Sequence, residues 1–291
     1  MLLQFNEKEV NTVFDLYKKA EEKIIVVAHR GSFGGNIPCN TIPAYRAALE
    51  AGADMIEIDV DMSRDGKLMI FHPGMESAFL GIKAKLPEMS AEEISALRYL
   101  NYDNTPTQFK INTLEEVLEE FKGKCFINVD KFWGHPKEIY NEIKRHGMTD
   151  QILVKSSVND SVIDVLRELA PDIAYMPIVK KTHPRHEELL KSGIKYVGVE
   201  CLFTEEDDEV ATPEFIERMH SDNVLVWANS IIYNYKAQLA AGHSDDTAIC
   251  ESKDKGWGWL AKRGFDLIQT DWTAALTKYL DENGLLYRKS K

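Results

Sequence analysis

The sequence predicts one α/β domain folded as a (β/α)8 barrel, and three observations carry that reading. Short runs rich in Val, Ile and aromatics alternate with longer amphipathic runs along the chain, the rhythm of parallel strands joined by helical crossovers. No Pro-, Gly- or Ser-rich linker interrupts it, and 291 residues lie near the roughly 250 that one such barrel needs. Neither a GxGxxG nor a Walker-type phosphate loop occurs, so the main signature of an open doubly wound sheet is missing.

In chain order, a helical lead over 1–22 precedes strands at 24–29 (IIVVAH), 54–60 (DMIEIDV) and 67–72 (KLMIFH). Further strands are expected at 125–130 (CFINVD), 151–155 (QILVK), 173–178 (IAYMPI), 195–200 (KYVGVE), 224–228 (VLVWA) and 265–270 (FDLIQT). Helices fit 41–51, 91–98, 113–121, 136–146, 159–169, 184–192, 212–221, 252–263 and 273–283. Asn159-Asp160 and Thr212-Pro213 supply a capping side chain or an early proline where free amides must be satisfied. Nine strands are one too many for the barrel. The linker MSRDG between the second and third is too short for a crossover and has turn chemistry, so 54–72 reads in part as a hairpin-like excursion. The polar segment 242–258 reads as an insertion or loop, either a lid over the barrel mouth or an idle insertion.

Composition narrows the function. With 44% apolar and 28% charged residues the chain is neither disordered nor fibrous. A net charge of −12 has the wrong sign for coating nucleic acid or an anionic membrane, so an anionic ligand must be held by a local site. Apolar runs such as 24–28 fall far short of the ~20 residues that span a bilayer, and MLLQFNEKEV has no signal-peptide pattern. Cys39, Cys125, Cys201 and Cys250 form no CxxC pair and read as reduced thiols. A cytoplasmic protein without membrane insertion or nucleic-acid partner is the expectation.

In a barrel, chemistry gathers at the C-terminal strand ends. Here nearly every strand ends in a capable residue: His29-Arg30, Glu57 and Asp59, His72, Asn128 and Asp130 with Lys131, Lys155, Glu200, Trp227 and Asn229, then Asp271. Glu57 and Asp59 share a strand face with Met55, and with Asp130 they form either a hard oxygen site for Mg²⁺ or Ca²⁺ or partners for nearby Arg and Lys. His29 and His72 fit an acid and a base acting on one bond, though a lone histidine at such a place is more often structural. Arg30 offers a planar donor fork to phosphate, or a rim ion pair. Trp227 would wall the ligand or serve as a core aromatic. Ser156-Ser157 lacks the GxSxG elbow of a serine hydrolase, and the acidic run 205–209 reads as a solvated loop.

With these residues in view, the chain resembles the glycerophosphodiester phosphodiesterase family over about 24–276. The resemblance rests on AHRG (28–31), NTIPAYRAALEAGADMIEIDV (40–60), SRDGKLMIFH (63–72), FINVDK (126–131) and GFDLIQTD (264–271). It implies a variant (β/α)8 TIM barrel that hydrolyses glycerophosphodiesters to sn-glycerol 3-phosphate and an alcohol. It further implies His29 and His72 as acid and base, Glu57 and Asp59 as ligands of a divalent cation (Mg²⁺ or Ca²⁺), and Arg30 on phosphate. Asp130 stands where the family has the Glu of E-x-K. Lys131 directly follows it and would face away in a regular strand, which makes Lys155 the preferred phosphate lysine. Pro73 and Cys39 replace a family Asp and Glu. The same barrel hosts lipid phosphodiesterases and non-catalytic relatives, so two other readings remain, an enzyme on intact lipid or a glycerol-phosphate binder.

Overall fold

The computed structural model describes residues 14–233, 236 and 238–287. Nine strands are present among them: β1 (Ile25–Ala28), β2 (Met55–Met62), β3 (Leu68–Ile70), β4 (Phe126–Asp130), β5 (Ile152–Ser157), β6 (Ala174–Lys180), β7 (Gly198–Leu202), β8 (Leu225–Asn229) and β9 (Leu267–Thr270). β1 pairs in parallel with both β2 and β9, so β1, β2 and β4 to β9 close into an eight-stranded parallel barrel. The surplus strand is β3. It runs antiparallel to β2, with Val60 opposite Ile70 and Met62 opposite Leu68, as the short RDG turn requires.

Alternation along each strand sorts the side chains. Ile25, Val27, Met55, Phe126, Leu153, Leu225, Trp227 and Leu267 fill the barrel, while Val26, Ile56, Ile58, Val60 and Val154 face the helices. Each such large side chain, fully buried, stabilises the fold by roughly 1.5–3 kcal/mol before chain entropy is counted. The barrel floor is closed by the helix Leu16–Glu22, capped by Asp15, whose Leu16 and Ala20 join the inner cluster. Phe14 meets Phe126 edge-on at 5.2 Å. Residues 1–13 of the expected helical lead lie outside the described residues.

The crossover helices match expectation, among them Ile42–Glu50, Leu114–Phe121, Pro136–Arg145, Asp160–Leu169, Pro213–Ser221 and Thr273–Glu282. Thr113 and Glu116 form a capping box, and Asn159 and Thr212 cap as their sequence positions suggest. Two regions differ. The expected helix over 252–263 is instead a π-helical turn, Asp254–Gly258, running into Trp259–Arg263, and the supposed loop 242–258 contains the helix Asp245–Cys250. Trp257 is fully buried there, which anchors the segment to the barrel. Between β3 and the helix Leu114–Phe121, the chain builds a satellite around its own cluster of Phe71, Leu80, Leu86, Ile94, Tyr99 and Ile111. No helix of the described residues is long and apolar enough to cross a membrane.

Candidate active site

The AHRG turn leaves β1 with Arg30 at φ 56° and Gly31 at φ 83°. A Cβ on Gly31 would lie 2.7 Å from the carbonyl carbon of Ala44, so only glycine lets the turn close against the helix Ile42–Glu50. The reversal aims His29 and Arg30 into a pocket of about 620 Å³ at the C-terminal mouth of the barrel. Glu57, His72, Asp130, Lys131 and Lys155 line the same pocket.

Glu57 and Asp59 rise above Met55 on the inward face of β2, and Asp130 ends the neighbouring β4 in register with Asp59. One carboxylate oxygen from each of the three lies within 4.8 Å of the others, a group that could hold a metal ion. Asp59 Oδ1 and Asp130 Oδ1 are buried and accept no hydrogen bond among the described residues. Buried carboxylate oxygens without a hydrogen-bond donor, in a group this close, match a hard oxygen-seeking cation. Burial and the Asp59 charge push the Glu57 carboxyl up to about 7. Asp59 is steadied from outside by Asn40, whose Nδ2 donates to Oδ2 at 2.8 Å, and by Arg30 Nε at 2.9 Å from the same oxygen.

The histidines sit in unlike surroundings. Burial lowers the His29 pKa, but a 2.8 Å contact between its Nδ1 and Asp271, with the charges of Glu57 and Asp271, outweighs that and leaves it raised. His72 follows β3, where the Phe71 amide donates to the Asp59 carbonyl and brings the hairpin end beside the carboxylates. Burial draws its pKa down, against the pull of Asp59. One histidine thus favours the proton-bearing form and the other the free base.

The lysines depart from the regular-strand expectation in one respect: both line the pocket. β4 does not continue regularly through Lys131, which adopts φ 64° and swings its Nζ to 2.5 Å from Asp130 and 3.8 Å from Asp59. Lys155 is in the pocket wall but committed: its Nζ is 2.8 Å from Glu200 and 3.9 Å above the Trp227 ring. Asn229 also donates to Glu200 at 2.5 Å. Trp227 does not wall the pocket; it is 0% exposed within the barrel, because its alternating partner Asn229 takes the upper inward position.

A family model described as the glycerophosphoryl diester phosphodiesterase family matches residues 29–272, from the end of β1 to just past β9. The chain belongs to that family. A glycerophosphodiester phosphodiesterase of Caldanaerobacter subterraneus subsp. tengcongensis is 30% identical over 52% of this chain and 65% of its own, so the match spans just under two thirds of that relative. Among solved structures, a glycerophosphoryl diester phosphodiesterase from Parabacteroides distasonis superposes with a TM-score of 0.78 at 18% identity, covering 96% of this chain and 94% of that one. A phosphodiesterase of Oleispira antarctica in complex with the product sn-glycerol-3-phosphate gives 0.66 at 21%, covering 89% and 97%. At these identities the structural likeness is one of fold.

One buried carboxylate behind the pocket was not visible in the sequence. Asp245, 3% exposed, accepts from Ser230, Trp257 and Thr270 at 2.6–2.7 Å on one oxygen and from the Asp271 amide at 2.8 Å on the other. It fixes the backbone of the residue that holds His29. In the sequence it stands in a polar run, GHSDD, indistinguishable from a solvated loop. Asn40 had a faint signal, as part of the N-T pair, but its grip on Asp59 across the turn is a tertiary fact.

Proposed function

We propose that this chain is a cytoplasmic, metal-dependent glycerophosphodiester phosphodiesterase, cleaving its substrate to sn-glycerol 3-phosphate and an alcohol by acid-base catalysis between His29 and His72. The observation that carries the reading is the convergence in one pocket of a three-carboxylate group with two unsatisfied oxygens and two histidines shifted in opposite directions. Family membership and the product named in the Oleispira antarctica structure support the substrate class. Four free thiols agree with a reducing compartment.

Glu57, Asp59 and Asp130 would hold the divalent cation, Mg²⁺ or Ca²⁺, which when bound supplies Lewis-acid stabilisation of the phosphoryl charge. Arg30 and Lys131 bring positive charge to the non-bridging phosphate oxygens, and in this role Lys131 takes precedence over Lys155. His72, poised as free base, takes the proton of the attacking hydroxyl as the new P–O bond forms. His29, poised with its proton and steadied by Asp271, gives it to the alcohol oxygen as the old P–O bond breaks. The net reaction consumes one water, either as the attacking hydroxyl itself or, where the neighbouring glycerol hydroxyl attacks, in opening the cyclic diester so formed, with the two histidines exchanging roles. The test is enzymatic release of sn-glycerol 3-phosphate from glycerophosphocholine, which should vanish with chelator and return with Mg²⁺ or Ca²⁺; release unaffected by thorough chelation sinks the metal-dependent reading.

A further inference from the structure

A second hollow of about 560 Å³ adjoins the catalytic pocket, and His29 and Arg30 line both. One wall is the 33–39 loop after the AHRG turn, with Phe33 and Ile37; the other is the satellite, with Phe79, Leu100 and Tyr102. The walls are tied together: Asn101 Nδ2 donates to Asn36 Oδ1 at 3.2 Å and Asn36 Nδ2 to Gln108 Oε1 at 3.3 Å, while within the satellite the Leu100 amide donates to the Phe79 carbonyl at 2.7 Å. Apart from His29, Arg30 and Asp271, no charged side chain lines the hollow. Phe33 and Tyr102 are 47% and 82% exposed, so two large rings face solvent beside the site.

A phosphodiester has two ester arms, and two hollows, one rich in charged side chains and one nearly free of them, meet at the histidine that would protonate one of them. Away from His29 the catalytic pocket carries Lys155, Glu200, Asn229 and Ser157 among apolar side chains such as Ile178 and Leu202, and those polar groups suit the hydroxyls of a glycerol arm. We infer that the groove between the 33–39 loop and the satellite is the seat of the leaving alcohol, and that the preferred alcohol is uncharged and apolar. This rests on the phosphodiesterase reading above. A cationic alcohol is disfavoured there, because the groove offers no free carboxylate: Asp271 is engaged by His29, while Arg30 adds positive charge at the junction. An alkyl chain instead gains by covering Phe33, Phe79 and Leu100.

The experiment compares kcat/KM of the full chain, with divalent cation, on sn-glycerol-3-phosphate esters of ethanol, butanol, hexanol, choline and 3,3-dimethylbutanol, the last being the neutral isostere of choline. Values should climb by about fourfold per methylene where the chain is buried, and the dimethylbutyl ester should exceed the choline ester. Phe33→Asp and Tyr102→Asp should each depress the hexyl-to-ethyl ratio, a quantity that cancels any general loss of active enzyme. A flat alkyl series, a preference for choline over its isostere, or an unchanged ratio in both variants overturns the assignment of the groove. No turnover of any ester overturns the phosphodiesterase reading and this one with it.

Discussion

At the scale of single residues, the unlike environments of the two histidines set the pH response. His72 sits below the ordinary histidine value of 6.5 and His29 above it, so kcat/KM should rise as His72 loses its proton on the acid side and fall as His29 loses its own on the alkaline side. His72→Ala should erase the acid limb and His29→Ala the alkaline limb, each with a loss of about 10²–10⁴ in rate. A profile with the same two limbs in either variant refutes the pairing. Lys131→Met should cost more in kcat/KM than Lys155→Met, reversing the order that a regular strand predicts. The sequence identified Glu57, Asp59 and Asp130 because period-two alternation puts them inward whatever the rest does. It failed at Lys131 because a left-handed residue resets that alternation, and nothing in FINVDKFW announces one.

At the scale of elements, the hairpin of β2 and β3 and the buckled segment 242–258 do the positioning. The hairpin was legible, since a five-residue link with RDG chemistry cannot be a crossover. The role of 242–258 was not, because Ser, Asp and Thr look alike whether they face water or one another. Its buried carboxylate yields a prediction. Asp245→Ala strips an acceptor from four donors and should lower stability by about 1–3 kcal/mol, read by denaturant titration. By releasing Asp271 it should also lower the His29 pKa, moving the alkaline limb to lower pH. A stability loss with an unmoved limb would reduce Asp245 to a purely structural part. Of the satellite of 71–112 the sequence showed only the helix at 91–98, found as Ala91–Ala96; Glu76–Leu80 escaped because it carries too few turns for a period to show.

At the scale of the whole molecule, the net charge of −12 is reconciled with an anionic substrate by concentrating cationic groups, and a proposed metal, at one mouth. The carboxylates that would hold the metal are a cost to the metal-free fold. The Glu57 pKa is raised in the folded state, so its contribution is intact at low pH and is lost as pH rises through about 7. Mg²⁺ or Ca²⁺ should therefore raise the melting temperature more at pH 8 than at pH 6, and an equal increment at both pH values would contradict a carboxylate site. The barrel itself was readable end to end, since its order of strands and helices is written in local periodicity, while the closure of β1 onto β9 is a long-range pairing that no local pattern encodes. That barrel is stoppered by Phe14 and the helix Leu16–Glu22, which has a kinetic consequence. Among the described residues that leaves the strand-end mouth as the doorway, and under the proposed function the alcohol, seated nearer the opening, should depart first and glycerol phosphate last, in competition with the next substrate, an order that product-inhibition patterns would check.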